Sequence, residues 1–371
     1  MTRILLFLGA LTLATACAPS QVRDTATASN PPVSADNEAM RIHFVDVGQG
    51  LGVLLEFPCA AMLIDTGGEQ DGEFDSDAAL TGYLDAFFAR RTDLHRTLAL
   101  VALTHPHIDH TRGVAAVTGR YTILNAIDNG MTHGSGGAGQ SELQQFARDH
   151  AATTHYRAVH LEEIPQPLGL TDAVIDPIRC PNIDPQIHAL WGQVATDPGW
   201  PGIRFGKTPF QNANNHSVVL RVDFGKASAL FTGDLEEPAI RELVKRSTGS
   251  DVLNVDVYQV GHHGSINGTL PELVAAMTPE FAVFSMGPAT RQLTWSAWKY
   301  GHPRKEIVDM LQAGIARQRE PINVQVGLQG EKFVPHKVEK AVYGTAWDGS
   351  VVVEATADGQ FKVVTARRPT L

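Results

Sequence analysis

Thr104-His-Pro-His-Ile-Asp-His110 places three histidines and a carboxylate within six positions, directly after the apolar run Leu98 to Leu103. A short continuous apolar run reads as a buried strand, and Pro106 lacks the N–H that would carry the strand further. On extended backbone His105 and His107 project to one side and can share a cation, while Asp109 and His110, on the following turn, reach a second. Neutral imidazoles with carboxylates suit zinc or a similar divalent ion, and two such ions about 3.5–4 Å apart form a hydrolytic clamp. Four potential ligands in six residues argue against a His-rich surface loop that binds nothing. The segment therefore constrains the chain to a fold that presents a strand end as a metal site.

A pass along the chain supplies the frame. Strand-like runs at 42–47, 52–57 and 61–65 precede a helical stretch from Asp77 to Arg91 with apolar positions Leu80, Leu84, Phe87 and Phe88. After the metal loop comes a Gly-rich stretch, 126–139, containing His133, and then a helix over 142–149. Residues 161–214 are rich in Pro, carry Trp191 and Trp200 and show no clear period. A long irregular segment of this kind reads either as a cover over the active site or as a passive surface excursion. Strands at 218–223, 228–232, 255–260 and 281–285 alternate with helices at 237–245 and 271–277, repeating the grammar of the first half. The tail from Val351 to Val364 reads as a hairpin around Asp358-Gly359.

On its motifs the sequence resembles the metallo-β-lactamase superfamily, whose central motif has the form His-x-His-x-Asp-His. His105, His107, Asp109 and His110 match it in full, with Gly113 in its expected place. The resemblance implies further roles in order: Asp65 in Leu63-Ile-Asp-Thr-Gly-Gly68 supports the metal loop, and His216 in Asn214-Asn-His-Ser-Val-Val-Leu220 completes the first metal's ligands. Asp234 in Leu230-Phe-Thr-Gly-Asp234 bridges the two metals, and His263 in Val260-Gly-His-His-Gly-Ser265 joins Asp109 and His110 on the second. It also implies the fold, an α/β four-layer αβ/βα sandwich, here over residues 40–320 with a small β-rich extension at 321–371.

The flanks narrow the resemblance. His43-Phe-Val-Asp-Val-Gly-Gln-Gly50, Asn215-His-Ser-Val-Val-Leu-Arg221, His262-His-Gly-Ser265 and Tyr300-Gly-His-Pro303 look like the hydrolase domain of the ComEC family of DNA-uptake proteins. Bacterial phosphorylcholine esterases are similar around the double histidine, where the second His binds metal and the first faces the phosphate. The implied function is a dinuclear hydrolase, with zinc or manganese, acting as a phosphodiesterase or nuclease through a hydroxide shared by the metals. His262 and His302 are then candidates to donate a hydrogen bond or proton to the phosphoryl group. The same metals could instead serve a carbonyl substrate such as a β-lactam, lactone or thioester, and a non-catalytic surface binding lipoprotein is the third reading.

Charge and the N-terminus bound the setting. The formal net charge is −10, so a polyanionic nucleic acid gains no general attraction and would have to be recruited locally. Lys299, Arg304 and Lys305 beside His302, in the stretch from Arg291 to Lys305, either supply that patch or form an ordinary solvated face. Arg3 precedes the apolar run Ile4 to Leu13, too short to span a bilayer, and Ala14-Thr-Ala16 leads into Cys17. That resembles a bacterial lipoprotein signal over 1–17, with acylation of Cys17 as a membrane anchor; an ordinary secretory signal is the alternative. Residues 18–39 read as a flexible tether, and Ala18 favours the outer membrane, on its periplasmic side or at the cell surface. Cys59 and Cys180 either pair in an oxidising compartment or stay as buried thiols.

Overall fold

The structure is a computed structural model that describes residues 38–204 and 206–366. Cys17, the signal sequence and nearly all of the tether lie outside the described residues. Two β-sheets face each other. The first runs, in spatial order, Phe361–Thr365, Val351–Thr356, Ala39–Phe44, Val53–Glu56, Ala61–Ile64, Leu100–Ala102, Asn125–Asp128 and His155–Ala158. Its joins are antiparallel as far as Ala61–Ile64 and parallel beyond. The second runs Val342–Gly344, Phe281–Phe284, Val257–Gln259, Ala227–Phe231, Val219–Phe224 and Gln186–Trp191, parallel for three joins and antiparallel for the last two.

Period-two patterning sorts the side chains between layers. Met40, Ile42, Phe44, Val53 and Leu55 enter the core between the sheets, where Phe44 meets Phe231 at 6.5 Å and Phe57 meets Phe224 at 6.4 Å. Leu54 and Leu63 point the other way, against Leu80, Leu84, Phe87 and Phe88 of helix Ser76–Arg90. Each such side chain, fully buried, contributes on the order of 1.5–3 kcal/mol. Asp75 starts that helix by accepting from the N–H groups of Asp77 and Ala78, both at 3.0 Å. Helices Glu237–Arg246, Pro271–Met277 and Lys305–Gly314 bury Ile240, Leu243, Leu273, Met277, Ile307 and Leu311 in the core that the second sheet shares. The result is the expected helix–sheet–sheet–helix sandwich.

Three elements differ from the sequence reading. Helix Gly137–Asp149 begins five residues earlier than 142, because its glycines serve close packing rather than a loop. A Cβ on Gly139 would lie 2.5 Å from Thr111 O, so the helix docks tightly on the turn behind His110. The segment 161–214 contains strand Gln186–Trp191, which forms an edge of the second sheet and buries Ile187, Ala189 and Trp191 completely. It is a structural part of the core as well as an excursion. The C-terminal β structure is built into the layers: Val342–Gly344 and Val351–Thr356 are sheet members, and the 320/321 division falls inside strand Gln318–Gln329. That strand and Lys332–Lys340 form a long two-stranded arm. The tail hairpin around Asp358-Gly359 is present, as Val351–Thr356 paired with Phe361–Thr365.

Cys59 and Cys180 form a disulfide with Cα atoms 5.5 Å apart, tying the turn before Ala61–Ile64 to the irregular segment. Among the described residues no helix is long and apolar enough to cross a membrane.

Candidate metal centre

The carboxyl ends of strands from both sheets meet at one edge, where an open α/β sheet offers its ligand-binding crevice. Ala61–Ile64 delivers Asp65, Leu100–Ala102 delivers the 104–110 loop, Ala227–Phe231 delivers Asp234, and Val257–Gln259 delivers His262 and His263. The loop is held from below by glycines. Leu51 N donates to Asp109 O at 3.0 Å, and a Cβ on Gly68 would lie 2.0 Å from Asp109 Cα. His262 and His263 both adopt left-handed backbone, φ 50° and 53°, ahead of Gly264 at φ 82°. Such strain costs of order 1–3 kcal/mol per non-glycine residue and persists where the surroundings over-determine it. Here His262 N donates to Gly233 O at 3.0 Å, and a Cβ on Gly264 would meet Phe284 at 2.6 Å.

Asp109, His110, Asp234 and His263 converge, with one ligand atom from each lying within 4.8 Å of all the others. His110 Nε2 approaches Asp234 Oδ1 to 3.2 Å, and His263 Nε2 approaches Asp109 Oδ2 and Asp234 Oδ2 to 3.4 and 3.5 Å. Yet His110 Nε2, Asp234 Oδ1 and His263 Nε2 are sealed from solvent and hydrogen-bonded to nothing. Buried polar atoms are rarely left so, and a cation among them satisfies all three. Charge agrees with geometry. Burial works against a charged His263, but Asp234 and Asp109 push its pKa up to about 10; burial is likewise overcome at His110 by Asp234 and Asp65. The carboxylates thus demand positive charge, which a divalent ion would supply in place of protons.

The tautomers follow from groups that can act in only one way. Thr104 Oγ1 gives its single proton to Asp65 Oδ2 at 2.7 Å, so it accepts from His105 Nδ1 at 3.1 Å. His110 Nδ1 donates to Asp65 Oδ2 at 2.6 Å, and His263 Nδ1 donates to the carbonyl of Ser285 at 2.7 Å. With a cation replacing the extra protons, His105, His110 and His263 therefore all present bare Nε2 atoms, as ligands must. His105 Nε2 and His107 Nδ1 face each other at 3.1 Å, a second pair of donors beside the cluster, with the His105 and His110 rings 4.2 Å apart.

His216 is not brought into this arrangement. Its Nδ1 accepts from Val194 N at 3.0 Å and its Nε2 donates to Phe210 O at 2.7 Å, so no lone pair remains for a metal. It lines a separate cavity with Met131, His133, Val194, Lys207 and Phe210. His262 lies beside the cluster without joining it, with Nε2 3.7 Å from Asp234 and Nδ1 3.5 Å from Glu236. His302 stacks on His263 at 6.3 Å and on Tyr300 at 5.6 Å. Thr104, Glu236, Ser285 and Gln49 complete the surroundings, and sequence reasoning missed all four. Ser285 acts through its backbone, which no side-chain pattern reports; Gln49 lay within the ComEC-like flank between two glycines, but nothing there assigned it a role.

The cations of the 291–305 stretch, weighed as a patch or as an ordinary solvated face, mostly have acidic partners. Arg291 pairs with Glu69 at 2.8 Å and lies over Phe74, Lys299 pairs with Glu331, Lys305 pairs with Asp309, and Arg304 donates to Leu328 O at 2.6 Å. This stretch is a solvated face.

A sandwich of this kind, with a His/Asp cluster able to hold a metal at its sheet edge, defines the αβ/βα metal-site class. The chain belongs to the metallo-beta-lactamase superfamily, whose family model matches residues 45–287. Competence protein ComA of Neisseria gonorrhoeae is 29% identical over 301 residues, 80% of this chain and 33% of its own length. Recombination protein 2 of Haemophilus influenzae is 36% identical over 108 residues, 28% of this chain and 12% of its own length. These relatives bear out the ComEC-like flanks, and the chain spans about a third or less of their lengths. Among solved structures, YhfI of Bacillus subtilis, a metallo-beta-lactamase fold protein, aligns with TM-score 0.37 and 13% identity over 66% of this chain and 85% of that one. CmlA of Streptomyces venezuelae, a diiron beta-hydroxylase, aligns with TM-score 0.36 and 16% identity over 66% of this chain and 44% of that one.

Proposed function

We propose that the chain is an extracytoplasmic phosphodiesterase that works with two divalent ions. The observation that carries the reading is the pair of extra imidazoles, His262 and His302, set against the ligand cluster without belonging to it. A phosphodiester presents two non-bridging oxygens and a leaving oxygen to such groups, whereas a carbonyl substrate presents one developing oxyanion. His105, His107 and Asp234 would hold one ion and Asp109, His110, His263 and Asp234 the other, zinc being the natural fit and manganese acceptable. Bound there, divalent ions supply Lewis acidity and lower the pKa of water enough to make it a nucleophile near neutral pH.

The chain's own residues do the rest. Asp65 and Ser285 O fix the imidazoles so that bare nitrogens face inward. His262, its side chain 16% exposed, is placed to hydrogen-bond a phosphoryl oxygen or protonate the leaving group. The ion pairs made by Arg291, Lys299 and Lys305 and the net charge of −10 favour a small phosphodiester over a long polyanion. The Cys59–Cys180 disulfide supports a position outside the cytoplasm, which the lipoprotein-type Cys17 signal would provide, anchored to a membrane.

The test is to purify residues 30–371, measure bound metal, and assay a chromogenic phosphodiester beside a chromogenic cephalosporin. Phosphodiester turnover that disappears in His263→Ala is the expected result. Turnover of the cephalosporin alone would sink the proposal in favour of carbonyl chemistry.

A further inference from the structure

His302 is wired in the opposite sense to the ligand histidines around it. Gln49 is the reason. Its Oε1 lies 3.3 Å from Gly287 N and its Nε2 lies 3.4 Å from His302 Nδ1. A backbone N–H can only donate, so the amide oxygen must face Gly287 and the amide NH2 must face His302. His302 Nδ1 is then the acceptor, and the ring proton sits on Nε2. No described residue accepts from that Nε2, which keeps contact with solvent although the residue as a whole is 7% exposed. His302 thus offers a fixed N–H where its neighbour His263 offers a lone pair.

Both partners are held tightly enough for the assignment to matter. Gln49 lies between Gly48, φ 69°, and Gly50, φ 155°, and its N–H donates to the buried carboxylate of Glu69 at 2.7 Å. A Cβ on Gly48 would lie 2.3 Å from Glu69 Oε2, one on Gly50 2.5 Å from Asp109 O, and one on Gly287 2.9 Å from Gln49 N. The three glycines let this loop close onto the metal loop on one side and the 285–287 strand end on the other. The His302 turn is clamped from outside by the two-stranded arm: Gly327 N donates to Pro303 O at 2.8 Å and Glu331 N to Trp298 O at 2.8 Å. With the backbone held in this way, a flip of the ring would leave the Gln49 amide without its acceptor.

We propose that Gln49 is a positioning residue that holds His302 as the Nε2–H tautomer, making it a fixed hydrogen-bond donor to an anionic oxygen of the substrate. The proposal rests on the phosphodiesterase reading for the identity of that oxygen, a non-bridging phosphoryl oxygen. It gives His302 a donor's role, neither ligand nor base, and gives Gln49-Gly50 of the ComEC-like flank a function. A donor aimed at charge that grows in the transition state acts on kcat more than on KM.

The experiment combines a direct measurement of the tautomer with kinetics. In protein labelled with 15N-histidine, two-bond 1H–15N correlation spectra of the wild type, assigned by comparison with His302→Gln, are expected to show His302 protonated on Nε2 alone. Gln49→Glu is nearly isosteric but can only accept, so it is expected to move the proton to Nδ1 and to lower kcat by on the order of 10²-fold with KM within about threefold. His302→Gln, which keeps an amide donor, should retain more kcat than His302→Ala. A wild-type Nδ1–H tautomer, or a Gln49→Glu protein with unchanged kcat, overturns the proposal. Absence of phosphodiester turnover in the wild type sinks the functional reading instead, and the tautomer is still decided by the spectra.

Discussion

Asp65→Asn is the substitution that isolates what a buried carboxylate does for this metal centre. Asp65 has φ 56°, a left-handed conformation that Asn tolerates as well as Asp, so the backbone should survive the change. The Asn Oδ1 would keep accepting from Thr104 N, now at 2.7 Å, because that N–H can only donate. The amide NH2 must then face His110 Nδ1, where the carboxylate accepted at 2.6 Å. Two donors cannot share that contact, so His110 moves its proton to Nε2, the atom that faces Asp234 from 3.2 Å, and loses the lone pair a metal needs. Removing such an orienting partner typically weakens metal binding by about 10–100-fold, or about 1.4–2.8 kcal/mol. The assay is competition for zinc against a chromogenic chelator, with urea unfolding of the metal-free proteins run alongside to separate binding from folding. Affinities equal within twofold, at unchanged stability, would refute the claim that Asp65 sets the His110 tautomer.

Three further outcomes are expected. Replacing both cysteines, Cys59→Ser with Cys180→Ser, opens a covalent loop of sequence separation 121, which on the chain-entropy estimate removes up to about 5 kcal/mol, read as a lower urea midpoint. Metal content should be unaffected, since Cys59 lies at the other end of strand Ala61–Ile64 from Asp65; a stability loss under about 1 kcal/mol would argue against the cross-link. His216→Ala should leave metal stoichiometry unchanged while costing about 1–3 kcal/mol, because Val194 N and Phe210 O lose their partner; loss of one metal equivalent would restore His216 as a ligand. Burial pushes the Asp128 carboxyl up to about 6, so its contribution to stability is full below its ordinary value near 3.8 and is lost as pH rises through 6, by about 3 kcal/mol. Asp128→Asn should flatten that part of the stability–pH profile, and an unchanged slope would count against it.

Sequence made the candidate metal loop legible because three imidazoles and a carboxylate crowd into six residues, and their motifs pointed to Asp65, Asp234 and His263. Helix Pro271–Met277 coincides with the reading because Pro271 marks its start and Leu273, Val274 and Met277 mark its buried face. What escaped lies in contacts that pattern does not encode. Ile187, Ala189 and Trp191 do alternate, but Pro181 and Pro185 just before them disguise an edge strand as loop. His216 sits in the right motif, and only the positions of Val194 N and Phe210 O reveal that both its nitrogens are taken. The role of the basic stretch stayed open because its acidic partners Glu69, Glu331 and Asp309 are scattered along the chain.

Strand Ala39–Phe44 pairs along its whole length with Val351–Thr356, and Val342–Gly344 flanks Phe281–Phe284 in the opposite sheet. The earliest described strand therefore waits for one of the last before its hydrogen bonds are complete. During vectorial synthesis the candidate metal loop, made in the first third, would stand on a sheet lacking the two strands at one edge until some 240 further residues had emerged from the ribosome or translocon. High sequence separation of this kind slows folding. Were the chain exported as proposed, that delay would be an advantage, since translocation through a narrow channel requires an unfolded polypeptide, and any metal would enter the centre only on the far side of the membrane.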